Sequence, residues 1–480
     1  MTEPSPETRA PSAFSNAMLM SAGEVASRAV GFVATAYISR RLGPAGFGLV
    51  GFASAFTAYF GLFVTGGMAN MGGQTVARDP GNAPALVAGV ALVRGAFAVL
   101  LFAALYLAVG LVSLSQDERL LIRLYGLILF TLALDVSWAY KGLERGGRVA
   151  VAVVAGQVCM LAAVLVLVRS PADVRWVPIS QFMGEVIAAA ILLLPLAVRA
   201  RHVAMAAALR LLRAAAVPGI TRILRTLIFT FDVLLLGFLG LRADLGLYTA
   251  AYRICLLVAG IQAALHSSFW AAGARADSPA SLGKVVTRAI GLAGAVGLPM
   301  IAGGIVLGRP LMSLFFGSAF APGASMLGWL LVGTGCVLAH GAYTLGLIAA
   351  GDPRRDLVIM AAAAVFNVVA NIIVVPRYGA IGASVVTAGS EAVALILCIF
   401  TGRAKGWGVR FRVLVPSAAA AAAMAMALLL VRDRLEVLFC IVVGGAVYAS
   451  VLLLVGVPED ARPLVASVTR RLAALRTRAS

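Results

Sequence analysis

The chain has 480 residues, of which 61% are hydrophobic and 12% are charged, and its formal net charge is +19. Because an ordinary soluble domain carries about a quarter charged residues, this composition excludes that class and predicts a polytopic membrane protein. The positive charge does not indicate nucleic-acid binding, since the basic residues are concentrated on the side of the membrane that carries the N-terminus. This asymmetry follows the positive-inside rule and predicts that both termini are cytoplasmic.

Apolar blocks of about 20 residues recur along the whole chain, each long enough to cross a hydrocarbon core about 30 Å thick. They predict an all-α fold with about fourteen transmembrane helices. In chain order the predicted spans are 13–39, 46–66, 86–112, 119–140, 149–168, 176–198, 216–240, 245–272, 285–307, 326–350, 357–376, 379–401, 413–431 and 437–456.

The turn after the first span has a counterpart after the seventh. Residues 42–50 read LGPAGFGLV and residues 239–248 read LGLRADLGLY, which match with one inserted residue. In this register Arg28 and Arg225 each stand 15 residues before the first glycine of the motif. The match therefore includes a charged residue inside a span, which shared hydrophobicity does not explain.

A second match relates the sixth span to the twelfth. GEVIAAAIL at 184–192 aligns with SEAVALILC at 390–398, which places Glu185 over Glu391. Two such registers predict two six-helix lobes, and the even number of spans in each lobe makes them parallel repeats about an axis along the membrane normal. A central cavity is expected between the lobes.

These observations predict six regions along the chain. They are a disordered cytoplasmic N-terminus (1–12), an N-terminal six-helix lobe (13–198), a cytoplasmic inter-lobe linker (199–215), a C-terminal six-helix lobe (216–401), two additional transmembrane helices (402–456) and a basic amphipathic cytoplasmic tail (457–480). The linker is interpreted either as an amphipathic helix on the inner membrane surface or as a plain basic loop.

Ionisable residues inside spans are costly in a bilayer and usually face a bundle interior or a watery cavity. Arg222, Arg225 and Asp232 share one face of the seventh span. Two guanidinium groups with no acid within a turn are suited to holding phosphate oxygens, so the pair predicts a diphosphate site. The alternative for Arg222 is that its side chain reaches the inner membrane surface.

Other charged positions leave two interpretations open. Glu24 and Arg28 are four residues apart and predict an ion pair, either structural or part of the cationic cavity. Asp232 is interpreted as a proton or cation site or as the partner of Arg253, which is also a candidate for binding the diphosphate. Glu185 and Glu391 are candidates for ion coupling or for structural, protonated acids lining the cavity.

Five further polar positions in spans favour a structural role over a functional one. His340 either titrates near neutrality or is a packed, hydrogen-bonded histidine. Asn367 and Asn371 share a helical face and predict interhelical hydrogen bonds, as does Asp135. Arg94, early in the third span, is expected to reach towards the membrane surface.

Several sequence motifs are missing. There is no GxxxxGK[ST] phosphate loop and no HExxH, and the five cysteines all lie in spans without metal-ligand spacing. No outer loop exceeds about twenty residues, which leaves little room for an extramembrane catalytic platform. We therefore expect a transporter rather than an enzyme, with no metal and no cofactor.

Five stretches together resemble the polysaccharide flippases of the multidrug/oligosaccharidyl-lipid/polysaccharide exporter superfamily. They are SRRLGPAGFGLVGFASAF (39–56), LDVSWAYKGLER (134–145), FDVLLLGFLGLRADLGLYTAAYRI (231–254), LMSLFFGSAF (311–320) and FNVVANIIVVPRYGAIGASVVTAGSEAV (366–393). The resemblance implies a two-lobed, V-shaped transporter in a bacterial plasma membrane. It would move an undecaprenyl-diphosphate-linked oligosaccharide, an O-antigen or exopolysaccharide repeat unit, from the inner to the outer leaflet. Glycosyltransferases and a polysaccharide polymerase are the expected partners besides membrane lipid.

Two related branches remain as alternatives. SRAVGF at 27–32 is similar to the start of lipid II flippases, in which Arg28 matches a cavity arginine, but Ala34 and Thr35 replace the charged pair that follows there. The multidrug branch, a group of cation-coupled antiporters, is related in fold. A membrane glycosyltransferase or polymerase is the third class to be tested.

Overall fold

The computed structural model describes residues 13–456, without the side chains of 13–18, 69–70, 216–229, 257–268 and 270–271. This part of the chain is almost entirely helical and contains no strand. Its α-helices are α1 (Ala13–Thr65), α2 (Met68–Arg78), α3 (Ala83–Leu111), α4 (Gln116–Gly126), α5 (Ile128–Ala133), α6 (Ser137–Gly142), α7 (Gly146–Leu167), α8 (Trp176–Ala197), α9 (Met205–Phe238), α10 (Arg242–Ala274), α11 (Pro279–Val306), α12 (Gly308–Phe316), α13 (Ala324–Ala349), α14 (Pro353–Ala404), α15 (Val415–Val431) and α16 (Val437–Val455).

Ten helical segments among the described residues are long and apolar enough to cross a membrane. The predicted all-α polytopic class is therefore confirmed. α9 and α10, with 34 and 33 residues, also have sufficient length to span a bilayer. The number fourteen stays a prediction, as do the region boundaries. The predicted N-terminus (1–12) and tail (457–480) lie outside the described residues.

The two longest helices each bend at a glycine. Gly43 in α1 has φ 66° and ψ 178°, and Gly379 in α14 has φ 55° and ψ −142°. Residues with a Cβ rarely adopt these angles, so glycine allows the chain to reverse between two helical arms. Each bend coincides with the boundary between two predicted spans.

The fourth predicted span is interrupted rather than continuous. α4 begins at a capping box in which the Ser115 hydroxyl accepts from the Glu118 backbone N–H, while the Glu118 carboxylate accepts from the Ser115 N–H. The helix is then broken between α5 and α6, where Asp135 lies. The Asp135 carboxylate accepts from the Ser137 backbone N–H (2.9 Å) and hydroxyl (3.2 Å) and so supports the start of α6.

The buried Arg94 of α3 stabilises two helix breaks in the first unit. Only 1% of this residue is exposed. Its guanidinium donates to the carbonyl oxygen of Thr65, at the end of α1 (3.3 Å), and to that of Asp135 (3.1 Å). The prediction that Arg94 reaches the membrane surface is wrong, because its buried guanidinium is held by these two carbonyls at helix ends.

The described chain forms two compact units, which divide between Gly246 and Leu247. The first unit has a core that includes Met68, Trp138, Tyr140 and Leu192. The predicted linker is a short turn followed at Met205 by α9, whose first three turns bury Ala208, Leu211 and Ala215 in this same core. The second unit has a core built from α11, α13 and α14, closed by the loop residue Trp407.

Candidate functional site

A polar cavity of about 330 Å³ lies within the first unit. We call it the first-unit cavity. It is bordered by α1, α5, α6, α7 and α8 and by the break before α6. Its polar lining consists of Glu24, Thr131, Asp135, Ser137, Lys141, Gln157, Gln181 and Glu185. Helices that are otherwise apolar thus border a half-open space with hydrogen-bond donors and acceptors.

Glu185 of α8 is held by two neutral donors. The Thr131 hydroxyl of α5 donates to one carboxylate oxygen, and the Gln181 amide donates to the other at 2.9 Å. Gln181 is one turn before Glu185 on the same helix, which brings the two side chains together. The arrangement fixes the carboxyl group at the wall of the first-unit cavity.

α7 and α8 approach closely beside this cavity because both present glycine. A Cβ at Gly156 would lie 2.7 Å from the carbonyl oxygen of Gly184. Small residues at such crossings let the backbones of membrane helices touch. Gln157 and Glu185 directly follow these two glycines in the sequence. The close crossing therefore brings both side chains to the same cavity wall.

The predicted pair of Glu24 and Arg28 is present in α1. The two Arg28 nitrogens Nε and Nη2 lie 3.1 and 3.0 Å from the same Glu24 oxygen. The side chains of Arg28 and Glu24 are 46% and 57% exposed. Glu24 also borders the first-unit cavity, so the pair connects that cavity to a half-exposed guanidinium.

Asp232 lies deep in the first unit, near the end of α9. It is 3% exposed, and its carboxylate accepts from the backbone N–H of Val233 at 2.7 Å. Nearby, the Thr230 hydroxyl donates to the Tyr59 hydroxyl of α1 at 2.6 Å. The side chains of Arg222 and Arg225 lie outside the described residues, and Arg253 is exposed on α10. Pairing of Asp232 with Arg253 stays a prediction.

The second unit contains its own polar cluster. His340 of α13 and Glu391 of α14 are joined through Nε2 and Oε2 at 2.9 Å. The Asn367 amide donates to the Ser390 hydroxyl across the two arms of α14 (3.1 Å), and Asn371 donates to Asn367 at 2.9 Å. The hydrogen bonds predicted for the two asparagines are therefore observed.

The structure brings Glu24 and Glu185 to one cavity and joins Arg28 to Glu24, whereas Glu391 lies in the second unit. Sequence reasoning did not identify Gln157, Gln181 and Thr131, because neutral polar residues are common in membrane helices. The spacing of four residues between Gln181 and Glu185 is the signal that would have linked them. Within the described part of the chain, no three His, Cys, Asp or Glu side chains are arranged to hold a metal ion.

Comparison with known proteins agrees with the predicted family. A family model described as "Polysaccharide biosynthesis protein" matches residues 13–269, which is more than half of the chain. The probable flippase AglR of Haloferax volcanii is 27% identical over 175 residues, which make up 35% of this chain and 36% of AglR. The match therefore spans about a third of that curated relative.

Solved structures share the fold over most of the chain. The inward closed conformation of the lipid II flippase MurJ has a TM-score of 0.77 at 13% identity, covering 93% of this chain and 100% of that one. An inward-facing multidrug resistance MATE family transporter of the MOP superfamily has a TM-score of 0.61 at 18% identity, covering 78% and 94%. The chain belongs to the polysaccharide biosynthesis protein family and is a multi-pass membrane protein with the fold of these flippases and transporters.

Proposed function

We propose that this protein flips an undecaprenyl-diphosphate-linked oligosaccharide from the inner to the outer leaflet of a bacterial plasma membrane by alternating access. The substrate is an O-antigen or exopolysaccharide repeat unit. One observation carries the proposal, namely that eight polar or charged residues line the first-unit cavity although the helices around it are apolar. Membership of the polysaccharide biosynthesis protein family supports it.

The lining of the first-unit cavity suits sugar hydroxyls, which both donate and accept hydrogen bonds. The carboxylates of Asp135 and Glu185 accept, Lys141 donates, and the amides of Gln157 and Gln181 do both. The cavity volume of about 330 Å³ falls within the range of about 300–1,000 Å³ that is usual for small-ligand sites. Part of an oligosaccharide would occupy it, while the prenyl chain stays in lipid.

The diphosphate requires cations that keep their charge in a dry environment. Arg28, Arg222, Arg225 and Arg253 are the proposed ligands, because guanidinium groups bind phosphate oxygens in pairs and remain protonated. Arg28 is bound to Glu24 in this structure, so a diphosphate arriving there would compete with that carboxylate. Replacement of the Glu24 carboxylate by the diphosphate at Arg28 would connect diphosphate binding to the first-unit cavity, which Glu24 borders.

Asp232, Glu185 and Glu391 are proposed as acids that couple transport to an ion gradient or line its path. We also propose that both termini lie in the cytoplasm, in keeping with the positive-inside rule. The glycosyltransferases that build the repeat unit and the polymerase that extends it are the proposed partners. The reaction changes the position of the substrate and not its covalent structure.

The test is complementation of a strain that lacks the protein, with surface polysaccharide and lipid-linked intermediate measured together. Arg225→Ala is expected to abolish surface polysaccharide and to raise the lipid-linked intermediate, with unchanged protein in the membrane. Gln181→Ala and Gln157→Ala are expected to lower export more mildly. Arg145→Ala is the matched control, because Arg145 is exposed at the start of α7.

Undiminished export by the Arg225→Ala and Gln181→Ala proteins would contradict the proposal. Drug sensitivity of the deletion strain with normal surface glycan would identify a multidrug antiporter instead. A covalent change of the glycan by the purified protein would identify a glycosyltransferase or polymerase. Rescue of a strain deficient in lipid II flipping would identify the lipid II branch.

A further inference from the structure

His340 and Glu391 form a buried pair in the middle of the second unit. His340 Nε2 and Glu391 Oε2 are 2.9 Å apart, and the two side chains are 9% and 13% exposed. With a rise of 1.5 Å per residue, His340 lies about 13 Å from the inner end of α13. Glu391 lies about 18 Å from the bend of α14 at Gly379 by the same measure. Both groups are therefore distant from either membrane surface.

The second ring nitrogen of His340 is buried and unmatched. Nδ1 has no hydrogen-bond partner among the described residues. A histidine kept only for packing normally satisfies both nitrogens, because a buried polar atom without a partner is unfavourable. Because Nδ1 has no partner, it can gain or lose a proton without breaking the hydrogen bond between Nε2 and Glu391.

Glu391 has no Lys or Arg partner in the described part of the molecule. On α13, the thiol of Cys336 is within electrostatic reach of it, one turn outwards from His340. One turn inwards, the Thr344 hydroxyl donates to Asp356 of α14 at 2.7 Å. The basic residues Arg403 and Lys405 lie at the inner end of α14, more than three turns from Glu391.

No described Lys or Arg on the other neighbouring helices is paired with Glu391, whose carboxylate is bonded to His340. α11 packs its Gly297 against Leu338 of α13, and it has no titratable residue between Arg288 and its end at Val306. On α10, the side chain of His266 is outside the described part. Charge balance at Glu391 therefore depends on a proton, held either by His340 or by the carboxyl group itself.

We infer that His340 and Glu391 form a proton-binding site whose occupancy is coupled to transport. This inference rests on the proposed transport function and adds its driving ion. With the exchangeable proton bound, the pair is neutral overall, as an imidazolium beside a carboxylate or as an imidazole beside a carboxylic acid. Release of that proton to water leaves a neutral imidazole that donates Nε2–H to a carboxylate, and the pair then has a charge of −1.

The coupling follows from where this charge is tolerated. A net charge is strongly disfavoured in a dry helical bundle, whereas water stabilises it. The deprotonated pair therefore favours a conformation in which the site is hydrated, and the protonated pair favours the closed packing of α13 against α14. Proton binding and release on opposite sides of the membrane would bias the conformational cycle in one direction.

The experiment measures proton binding directly in the full-length protein, without substrate. The chain has three histidines, so ring-nitrogen NMR of purified, isotopically labelled protein resolves few signals, and His340→Gln assigns one of them. We expect the His340 ring signals to report gain and loss of one proton as the pH is varied over the range in which the protein stays folded. Glu391→Gln is expected to change this pH response, because it removes the carboxylate that shares the proton with the imidazole.

A second measurement connects the site to transport in proteoliposomes with a lipid-linked oligosaccharide and an imposed pH gradient. His340→Gln keeps a hydrogen-bonding side chain but does not titrate in this range. It is expected to retain thermal stability and to lose the response of transport to the gradient. His202→Gln is the control, since His202 is exposed in the turn before α9.

Three outcomes would overturn the inference. They are a His340 ring that stays in one state across this pH range, a titration unaffected by Glu391→Gln, and a His340→Gln protein that keeps its full response to the gradient. Failure of the proposed function has a different signature. In that case the His340 titration persists in the wild-type and Arg225→Ala proteins, while neither flips the oligosaccharide.

Discussion

Gly246, near the start of α10, packs directly against the carbonyl oxygen of Pro44 at the bend of α1. The reciprocal contact brings Gly48 of α1 against the carbonyl oxygen of Arg242. Gly48 and Gly246 are equivalent positions of the duplicated motif. The first glycines of the two motifs, Gly43 and Gly240, also share a left-handed backbone, with φ of 66° and 73°. The two copies of the motif therefore meet through backbone surfaces that leave no room for a side chain.

Gly246→Ala is expected to destabilise the protein, because the new methyl group would overlap the Pro44 carbonyl. Overpacking of this kind typically costs about 1–3 kcal/mol, and the contact here is with backbone that cannot rotate away. The measurement is the thermal midpoint of the purified protein in detergent. Gly95→Ala is the matched control, since a Cβ at Gly95 meets nothing within 4 Å. Equal midpoints for the two variants would contradict the prediction.

Arg94→Met is expected to destabilise the first unit by about 2–4 kcal/mol. The carbonyls of Thr65 and Asp135 lose a charged donor, and each such hydrogen bond contributes roughly 1.5–3 kcal/mol. Folded yield and chemical denaturation in detergent measure the effect. Arg145→Met should be neutral, because Arg145 is exposed. A stable Arg94→Met protein would show that the two helix breaks do not depend on this cation.

Glu185→Leu is expected to cost about 1–3 kcal/mol, because the Gln181 amide loses its acceptor and the Thr131 hydroxyl keeps only the carbonyl oxygen of Ile128. Glu185→Gln should be nearly neutral for stability, since its amide oxygen still accepts one of the two bonds. The double variant Thr131→Val with Glu185→Leu should recover part of the loss, which a double-mutant cycle measures. An additive cycle would indicate that Thr131 and Glu185 act independently.

The loop between α13 and α14 is expected to make a pH-dependent contribution to stability through Asp352. Its carboxylate accepts from Lys405 Nζ at 2.8 Å and from the Arg355 backbone N–H at 3.3 Å. The hydrogen bond from Lys405 is the main cause that holds the pKa of Asp352 below its usual value of 3.8. The contact joins the two ends of the bent helix α14.

The sign of the effect follows from proton linkage. Because the native carboxyl group binds a proton less readily than the unfolded one, its contribution is complete above about pH 4. The contribution is lost as the pH falls through the lower native pKa. Asp352→Asn should therefore lower the thermal midpoint at pH 7, and the difference from wild type should shrink as the pH falls through the lower native pKa of Asp352. Lys405→Met should remove most of the same pH-dependent stabilisation. A lowering of the thermal midpoint by Asp352→Asn that stays constant with pH would contradict this account.

Local geometry explains what was predictable from the sequence. The apolar blocks and the positive-inside asymmetry determine a polytopic helical protein, since each span satisfies its own backbone hydrogen bonds. The pairing of Glu24 with Arg28 was predictable because residues four apart meet on any helix. The duplicated motif also indicated the equivalence of Gly43 and Gly240, which both have a positive φ.

The tertiary structure decided which distant side chains meet. Thr131 and Glu185 are separated by 54 residues and His340 and Glu391 by 51, and no period in the sequence relates them. The inward position of Arg94 depends on the end of α1 at Thr65 and on the helix break at Asp135, and hydropathy alone predicts a continuous span across the second of these. Such contacts depend on how the helices rotate and cross, which is set by packing at glycines such as Gly156 and Gly184. The sequence by itself therefore determined the fold class, the family and the pairs of residues one helical turn apart. Only the packing of the helices decided the first-unit cavity and the buried pair of His340 and Glu391.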